Sequence, residues 1–308
     1  MKIFVDGQEG TTGLEILARL KNLPYIKILR IEQKFRKSVE ARKDLLNQAD
    51  IAVLCLPDQA AKEAVTLLEN TETKVIDAST CHRVSKGWTY GFPEYRKDHR
   101  ETIRKSRFIS NPGCYAVAAV SILYPLIEKG ILPNDWPVSI TGLSGYSGGG
   151  KSLIEQFETP SPSNNLNTYD YALNLNHKHL PEISKWTGLK RKPAFLPCVG
   201  NFYRGMLVRV PIPLWALPGN VTERDLFETY DSHYAGNLFL KIDKTRDDLI
   251  DPQELNGTNR LTLHVLCDSD SHNSMIVAQL DNLGKGASGQ VIQIINIISG
   301  NQEQTGIL

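Results

Sequence analysis

Cys114 stands where a predicted strand gives way to a predicted helix, in the stretch Ser110-Asn111-Pro112-Gly113-Cys114. A thiol in the first turn of a helix faces unpaired backbone N–H groups and the positive end of the helix dipole, which lower its pKa from about 8.5 toward neutrality. A thiolate attacks an acyl carbon well and also leaves it well. The position therefore predicts that Cys114 is a nucleophile.

The other four cysteines lie in contexts that favour packing over catalysis. Cys55 and Cys267 stand in apolar β-like runs, and Cys198 follows Pro197 with no helix behind it. Cys81 lies in a polar turn and is the one rival nucleophile. Scattered cysteines without a C-x-x-C pair predict no disulfide framework, so we expect reduced thiols and a cytoplasmic protein.

A nucleophilic cysteine needs a partner that moves its proton. His177 and His179 stand together in the stretch HKHLPEI at 177–183. Pro181 suits the first turn of a helix, which places His179 near a helix start. We expect His179 to act as the acid or base, with His177 as second choice. Their spacing also admits a metal pair or a structural role, but no third ligand is evident nearby and we expect no metal.

A glycine-rich turn, GQEGTTG at 7–13, lies between the first predicted strand and the first predicted helix. Glycines let backbone N–H groups approach a pyrophosphate at a helix N-terminus, as in dinucleotide-binding folds. The spacing differs from G-x-G-x-x-G, so a plain strand–helix turn is the alternative. The residues expected to bind the cofactor in this region are Gly7, Gly10, Thr11, Thr12 and Gly13, with Pro57 after the third strand.

The end of the second predicted strand distinguishes NAD from NADP. Glu32 would suit a ribose 2′-hydroxyl, whereas the cations Lys34, Arg36 and Lys37 would accept a 2′-phosphate. Three cations near a helix N-terminus also oppose the helix dipole, and an anion would relieve that opposition. We therefore favour NADP(H). NAD and a solvated basic run without a ligand are the alternatives.

The elements that must position these residues follow two patterns. Strands and helices alternate over the first 110 residues, which predicts a Rossmann-type doubly wound parallel sheet. After a helix from Cys114 to about Lys129, β-like runs predict an α+β catalytic domain with a mostly antiparallel sheet. The predicted strands of the first part are 2–6, 25–31, 51–56, 74–78 and 108–110, and its helices are 14–23, 37–49 and 59–70. The β-like runs of the second part are 138–143, 194–197, 206–213, 238–242, 260–269 and 274–283, with a loop at 145–168 and a final helix at 287–299. The expected domains are an NADP-binding domain, 1–113 with 285–308, and a catalytic domain, 114–284.

Composition excludes several classes of partner. Lys and Arg number 35 against 34 for Asp and Glu, a formal net charge of +1 over 308 residues. This balance gives no electrostatic footprint for nucleic acid or an anionic membrane. The longest apolar runs, such as 116–124, are about half of what a membrane-crossing helix needs. The N-terminus lacks the apolar stretch of a signal peptide.

Eight short stretches carry a resemblance to a known family. They are 6–13 (DGQEGTTG), 54–58 (LCLPD), 77–80 with 82–83 (DAST and HR), 90–94 (YGFPE), 110–115 (SNPGCY), 144–151 (SGYSGGGK), 177–183 (HKHLPEI) and 281–289 (DNLGKGASG). In these stretches, and in their order, the sequence resembles the N-acetyl-γ-glutamyl-phosphate reductases of arginine biosynthesis, most closely their shorter variety. The last stretch is shared with aspartate-semialdehyde dehydrogenases, whereas YGFPE and HKHLPEI are not.

The resemblance implies a mechanism and further site residues. Cys114 attacks a small-molecule acyl phosphate and expels phosphate, and hydride from NADPH reduces the resulting thioester to a semialdehyde. The implied substrate-binding residues are Arg83, Asn111, Ser144, Gly145 and Arg204, and the further cofactor-binding residues are Ser147, Gly148, Asn282, Gly284 and Lys285. A homo-oligomer, dimer or tetramer, is expected. Two positions depart mildly from the family pattern, with Val117 where Thr is common and Lys178 where Arg is usual.

Three alternatives to this function stay open from the sequence. One is an aspartate-semialdehyde dehydrogenase or another acyl-phosphate reductase with the same cysteine chemistry. Another is a relative in lysine synthesis that acts on a carrier-bound α-aminoadipate analogue. The third belongs to a different class, a dinucleotide-binding regulator that senses redox state without catalysis.

Overall fold

The computed structural model describes residues 1–159, 167–244, 248–268 and 270–307. The chain forms two compact units. The first unit comprises Met1–Pro93, Asp98–Gly113 and Ala287–Leu308, and the second comprises Glu94–Lys97 and Cys114–Gly286. Within the described residues, no helix combines the length and the apolar character that crossing a membrane requires.

The first unit is built on a six-stranded sheet whose neighbouring strands are all parallel. Its strands are β1 (Lys2–Asp6), β2 (Lys27–Leu29), β3 (Ile51–Leu54), β4 (Lys74–Asp77), β5 (Thr89–Tyr90) and β6 (Phe108–Ser110), in the order β2-β1-β3-β4-β6-β5. Four of its helices are α1 (Thr11–Leu20), α2 (Val39–Gln48), α3 (Asp58–Thr66) and α4 (His99–Lys105). The predicted doubly wound parallel sheet is confirmed.

The sheet order explains where a cofactor can bind. Chain direction across the sheet reverses between β1 and β3, and ligands of such sheets bind beyond the carboxyl ends of the strands at that point. All four residues of β3 are buried, as its continuous apolar run predicts. The prediction missed α4, which lies in a charged stretch without clear apolar periodicity. It also missed β5, which has only two residues.

The second unit is built on a seven-stranded mixed sheet. Its strands are β7 (Ser139–Gly145), β8 (Tyr169–Asp170), β9 (Ala194–Gly200), β10 (Met206–Pro211), β11 (Leu240–Asp243), β12 (Leu261–Asp268) and β13 (Asn273–Leu280), in the order β11-β12-β13-β10-β7-β9-β8. Four of the six neighbouring pairs are antiparallel. The pairs β11–β12 and β7–β9 are parallel. The predicted mostly antiparallel sheet is therefore confirmed, and Ser269, at the end of one predicted strand, lies outside the described residues.

Within the described residues, the helices of the second unit cover one face of this sheet and leave the other face open at β7 and β9. They are α5 (Cys114–Glu128), α6 (Lys151–Glu158), α7 (Leu180–Thr187) and α8 (Glu223–Tyr234). α5 packs on β10 and β13, and α7 and α8 pack on α5. Thr141 and Leu196 are exposed while Ile140 and Phe195 beside them are buried. This alternation is typical of a sheet with one covered and one uncovered face.

The prediction of a loop over 145–168 is wrong for the part that forms α6. Leu153 and Phe157 stand four residues apart, so both lie on one side of a helix. The Phe157 ring stacks on Tyr146, with 4.8 Å between ring centroids. Glycine and serine around this segment hide its short apolar periodicity, and residues 160–166 lie outside the described part of the chain.

The last helix of the chain, α9 (Gly289–Ser299), belongs to the first unit. One π-helical turn, Gly284–Ser288, precedes it. The helix predicted at 287–299 is thus confirmed with a start two residues later. α1 and α4 both pack against α9.

Candidate active site

The start of α5 presents Cys114 as its first helical residue, as the sequence predicts. The backbone at Gly286 approaches this residue closely, because a Cβ built on Gly286 would lie 2.7 Å from the Cβ of Cys114. That separation is below any normal carbon contact, so only glycine fits there. The fifteen residues of α5 give the thiol a full helix dipole, and residues Tyr115–Leu126 are buried.

The two predicted histidines lie against the same end of α5. The ring of Tyr115, the residue after Cys114, has its centroid 5.7 Å from that of His177 and 6.1 Å from that of His179. The two imidazoles are 4.8 Å apart between centroids and nearly perpendicular. Both histidines are buried. The structure therefore brings His177 and His179 to Tyr115, the residue that follows Cys114.

Hydrogen bonds define the protonation of His177. Its Nδ1 accepts the backbone N–H of His179 at 3.1 Å, so Nδ1 carries no proton. A neutral imidazole then holds its proton on Nε2, which lies 3.2 Å from the Tyr171 hydroxyl. His177 is thus occupied at both nitrogens, by a backbone amide and by a phenol.

Two tyrosines extend this cluster. Burial raises the pKa of Tyr171, and negative charge at Cys114 raises it further. Burial also raises the pKa of Tyr115 well above its usual value, with Tyr171 and Cys114 as the next causes. Both phenols therefore stay protonated, and Tyr115 donates to the carbonyl of Cys198 at 3.2 Å. The sequence gives no spacing signal for Tyr171, whereas Tyr115 lies in one of the stretches that carry the family resemblance.

Five predicted ligand-binding residues meet at the end of β7. The Asn282 side chain donates to Ser147 Oγ at 2.9 Å and accepts the backbone N–H of Gly205 at 2.8 Å. A Cβ on Gly148 would lie 3.2 Å from Ser144 Oγ. Gly145 packs so tightly that a Cβ would lie 2.6 Å from the Tyr203 carbonyl oxygen. The structure brings Ser144, Gly145, Ser147, Gly148 and Asn282 together, and Asn282 ties two backbone segments of the cluster.

Arg204 lies beside a fully buried carboxylate. Its Nη1 is 3.4 Å from Asp281 Oδ2, and its side chain is 20% exposed. The same Asp281 accepts the backbone N–H groups of Gly257 and Leu283, each at 2.8 Å. Gly284 follows in close contact, since a Cβ there would lie 2.1 Å from the Thr258 carbonyl oxygen. Arg204 is therefore anchored by Asp281 while its side chain stays partly exposed.

Lys285 forms a completely buried ion pair in the second unit. Its Nζ lies 2.8 Å from Glu94 Oε2, and both side chains are 0% exposed. The ammonium also stands over the Phe239 ring, 5.6 Å from its centroid. The sequence predicts Lys285 as a cofactor residue, but it does not reveal this partner, which lies 191 positions earlier in the chain.

The glycine-rich turn of the first unit lines a cavity of about 490 Å³. Gly7 has φ +86°, and a Cβ there would lie 2.2 Å from the Cys55 carbonyl oxygen. A Cβ on Gly13 would lie 2.5 Å from the Gly7 carbonyl oxygen. Thr11 and Thr12 begin α1, whose N-cap Gly10 provides no side-chain cap. Predicted residues that line the cavity are Gly7, Gly10, Arg36, Lys37 and Pro57.

Charged residues around this cavity sort into two groups. Arg36 lines it and pairs with Glu9. Lys34 instead pairs with Glu32 at 3.0 Å, and both of these side chains are 69% exposed. Arg42, which the sequence analysis misses, lines the cavity and holds Asp6 with Nε and Nη2 contacts of 3.0 and 2.8 Å. The cations beside the cavity, the closely approaching glycine backbone and the helix start without a side-chain cap together fit a dinucleotide that carries a phosphate on its ribose.

Arg83 and Asn111, both predicted to bind substrate phosphate, hold backbone in the first unit. Arg83 donates from Nε to the Asn111 carbonyl at 3.0 Å and from Nη2 to the Ala78 carbonyl at 3.1 Å. Asn111 Nδ2 donates to the Ala287 carbonyl at 3.2 Å. Within the described residues, buried Asn111 Oδ1 has no hydrogen-bond partner, so it keeps an acceptor available for a ligand.

The first unit has a parallel sheet of the dinucleotide-binding type, and the second unit has a mixed sheet and a cysteine at the start of a helix. This combination defines the semialdehyde dehydrogenase class. Residues 2–103 match the family model for the semialdehyde dehydrogenase NAD binding domain, and residues 114–282 match the model for the semialdehyde dehydrogenase dimerisation domain. The predicted Rossmann-type fold of the first part of the chain is thereby confirmed.

Sequence relatives narrow the class. The N-acetyl-gamma-glutamyl-phosphate reductase of Trichormus variabilis is 41% identical over 99% of this chain and 99% of its own length. The enzyme of that name from Allorhizobium ampelinum is 44% identical over 96% and 98%. The chain belongs to the N-acetyl-γ-glutamyl-phosphate reductase family.

Solved structures share the fold at low identity. Aspartate semialdehyde dehydrogenase II from Vibrio cholerae, complexed with ASA, has a TM-score of 0.74 and 15% identity and covers 97% of this chain and 98% of its own. The aspartate semialdehyde dehydrogenase of Candida albicans with NADP has a TM-score of 0.65 at 15% identity, with coverage of 97% and 98%. These solved structures show the fold. The substrate has to be inferred from the site and from the sequence relatives.

Proposed function

We propose that the protein reduces N-acetyl-γ-glutamyl phosphate to N-acetylglutamate semialdehyde with release of phosphate, as a step of arginine biosynthesis. The observation that carries the proposal is Cys114 at the first position of α5, with His177 and His179 packed on the adjacent Tyr115. The names of the relatives at 41–44% identity support the same substrate.

Cys114 performs both halves of the reaction. Its thiolate attacks the acyl carbon, a C–S bond forms, and the C–O bond to phosphate breaks to leave a thioester. Bound NADPH supplies the hydride that reduces this acyl carbon. The C–S bond then breaks, the aldehyde leaves and the thiolate returns. Backbone N–H groups in the first turn of α5 stabilise the negative oxygen that forms at each addition.

We assign the two histidines different roles, one in positioning and one in proton transfer. His177 holds the backbone of His179 through Nδ1 and contacts Tyr171 through Nε2, which makes it a positioning residue. His179 is the general acid or base that protonates the developing oxygen or takes the proton of the thiol.

Replacing His179 by glutamine should lower kcat by about 10²–10⁴-fold, the usual contribution of one acid–base group, and remove one limb of the pH–rate profile. His177→Asn keeps an acceptor near the Nδ1 position, so we expect a smaller loss with the profile unchanged. The exposed His272, at φ +51° where asparagine is well tolerated, gives the control variant His272→Asn. Steady-state rates measured across pH show which of the two histidines is the acid or base. A full loss of the limb in His177→Asn but not in His179→Gln would reverse the two roles.

We propose NADPH as the cofactor, held at its 2′-phosphate by Arg36 and Lys37. The double variant Arg36→Ala/Lys37→Ala should raise the KM for NADPH by about 10²–10⁴-fold, since two charge-assisted hydrogen bonds contribute about 1.5–3 kcal/mol each. The KM for NADH should stay nearly constant. Lys34→Ala is the matched control, because Lys34 pairs with Glu32. Equal weakening of both cofactors in the double variant would contradict the assignment.

A substrate panel tests the proposed reaction against its alternatives. We expect faster turnover with N-acetyl-γ-glutamyl phosphate than with aspartyl phosphate or a carrier-bound α-aminoadipate analogue. The opposite ranking would assign the protein to another acyl-phosphate reductase. Binding of NADPH without turnover of any of the three would favour a regulator.

We propose that the open face of the second sheet joins two copies of the chain in a homodimer. The face combines exposed Leu196 and Met275 with the partly exposed Arg209, and the domain that carries it matches a dimerisation model. Leu196→Glu should shift sedimentation toward the monomer. Leu249→Glu, at an 86% exposed leucine outside the sheet, should leave the sedimentation unchanged.

We also propose a cytoplasmic location for the protein. The reduced state of all five cysteines supports it.

A further inference from the structure

Four side chains with ligand atoms meet beyond the end of β4. The Asp77 Oδ2 atom lies 2.6 Å from His82 Nδ1, 2.7 Å from Ser79 Oγ and 3.6 Å from Cys81 Sγ. Cys81 Sγ also lies 3.2 Å from His82 Nδ1 and 3.0 Å from Ser79 Oγ. Asp77 is fully buried, and Cys81 is partly open to solvent. The cluster lies within the first unit.

The arrangement differs from a cysteine–histidine–aspartate triad. In a triad the imidazole bridges, with one nitrogen toward the thiol and the other toward the carboxylate. Here the same nitrogen, His82 Nδ1, faces both Cys81 and Asp77. The thiol sulfur, the imidazole nitrogen and the carboxylate oxygen lie within 4.8 Å of one another around this common centre, close enough to be ligands of one ion in place of their present hydrogen bonds.

We propose that Asp77, Cys81 and His82 bind a divalent cation of the zinc type, with the fourth position taken by Ser79 Oγ or water. Sulfur, nitrogen and oxygen together are a donor set of Zn²⁺. Ligand atoms about 2.0–2.3 Å from a tetrahedral ion lie roughly 3.3–3.7 Å from one another. The present separations of 2.6, 3.2 and 3.6 Å reach that range after small side-chain rotations.

Neighbouring groups hold this centre in place. The His82 ring stacks on Trp88 with 4.0 Å between centroids and 6° between planes, which fixes the imidazole orientation. Asp77 Oδ1 accepts the backbone N–H of Ser79 at 2.9 Å, which leaves Oδ2 directed at the common centre. A buried carboxylate gains most from a cation because water cannot solvate it there. The turn is therefore preorganised for an ion.

Binding exchanges a proton for the metal. The Cys81 proton leaves as the S–metal bond forms, and the His82 proton moves to Nε2. Affinity therefore increases as pH rises.

Cobalt titration tests the site, because a thiolate bound to Co²⁺ gives a charge-transfer absorption. The host is the full chain with Cys114→Ser, so that the second candidate thiolate cannot contribute. We expect one equivalent of Co²⁺ with this absorption, displaced by Zn²⁺, and a Zn²⁺-dependent rise in thermal midpoint. Adding Cys81→Ser should abolish both signals, and adding His82→Asn should weaken binding at least tenfold. Adding Cys267→Ala, at another partly exposed thiol, should change neither.

Two results would overturn the proposal. One is a host that gives no thiolate absorption with stoichiometric Co²⁺. The other is a Cys81→Ser variant that keeps the absorption. Thermal midpoints in EDTA show whether each variant is folded, and the His82→Asn variant decides the case independently should Cys81→Ser prove unstable.

Discussion

Serine in place of Cys114 should lower reductase activity by at least about a thousand-fold, while NADPH binding should stay within twofold of the wild type. A hydroxyl fits the same space at the start of α5, but it ionises far less readily than a thiol and leaves poorly from an acyl carbon. Loss of a nucleophile in other enzymes reaches about 10⁶-fold in kcat. The glycine-rich turn that we propose to bind the cofactor belongs to the first unit and is untouched by the change.

Single-turnover measurements separate the steps of this reaction. The wild type should release phosphate and retain an acyl group on Cys114 when the acyl phosphate is added without NADPH, visible as a mass increase of the intact protein. Cys114→Ser should show neither. Cys198→Ser is the matched control, a partly exposed thiol of the same unit outside the helix start. Retained reductase activity in Cys114→Ser would reject the thioester mechanism.

Lys285→Met should destabilise the protein by about 3–5 kcal/mol. The change leaves the Glu94 carboxylate at 0% exposure without its ammonium partner, and an uncompensated buried charge costs that much. Replacing both residues, as Glu94→Gln/Lys285→Met, removes both charges together. We expect the double variant to recover a large part of the stability that the single variant loses, since buried pairs replaced together cost far less.

Urea unfolding of the two variants and the wild type gives the comparison. Lys105→Met is the control, because Lys105 pairs with Glu101 at an exposed position and such pairs contribute little. The alkylation rate of Cys114 adds a local readout, since Gly286, next to Lys285, contacts Cys114. An unchanged unfolding midpoint in Lys285→Met would show that Glu94 is neutralised by other means.

Patterns of a few neighbouring residues predicted much of the fold and the position of Cys114 at the start of a helix. The apolar run of β3 and the proline and glycine before Cys114 act over a few residues, so their consequences follow from the sequence directly. Pairings between distant positions do not. Glu94 and Lys285 meet across 191 residues, and the position of Tyr171 beside His177 depends on how β8 joins the sheet.

Charge patterns proved less informative than apolar ones. Lys34, Arg36 and Lys37 look equivalent in the sequence, yet Lys34 pairs with Glu32 while the other two line the cavity. Arg42 stands inside a predicted helix with nothing to distinguish it from a solvated residue. The direction of a long side chain depends on its neighbours in space, which spacing alone does not specify.

The place of α9 has a consequence for synthesis of the chain. α1 and α4 pack against α9, and Arg19 donates to Ser288 Oγ at 3.1 Å, so the first unit is completed by residues made after the whole second unit. The ribosome adds about 5–20 residues per second, so the stretch from Cys114 to Gly286 takes roughly 10–35 s to emerge. The first unit thus begins before the second and is completed after it, with helix surfaces of α1 and α4 uncovered meanwhile. A chain truncated before Gly289 therefore lacks part of the first unit.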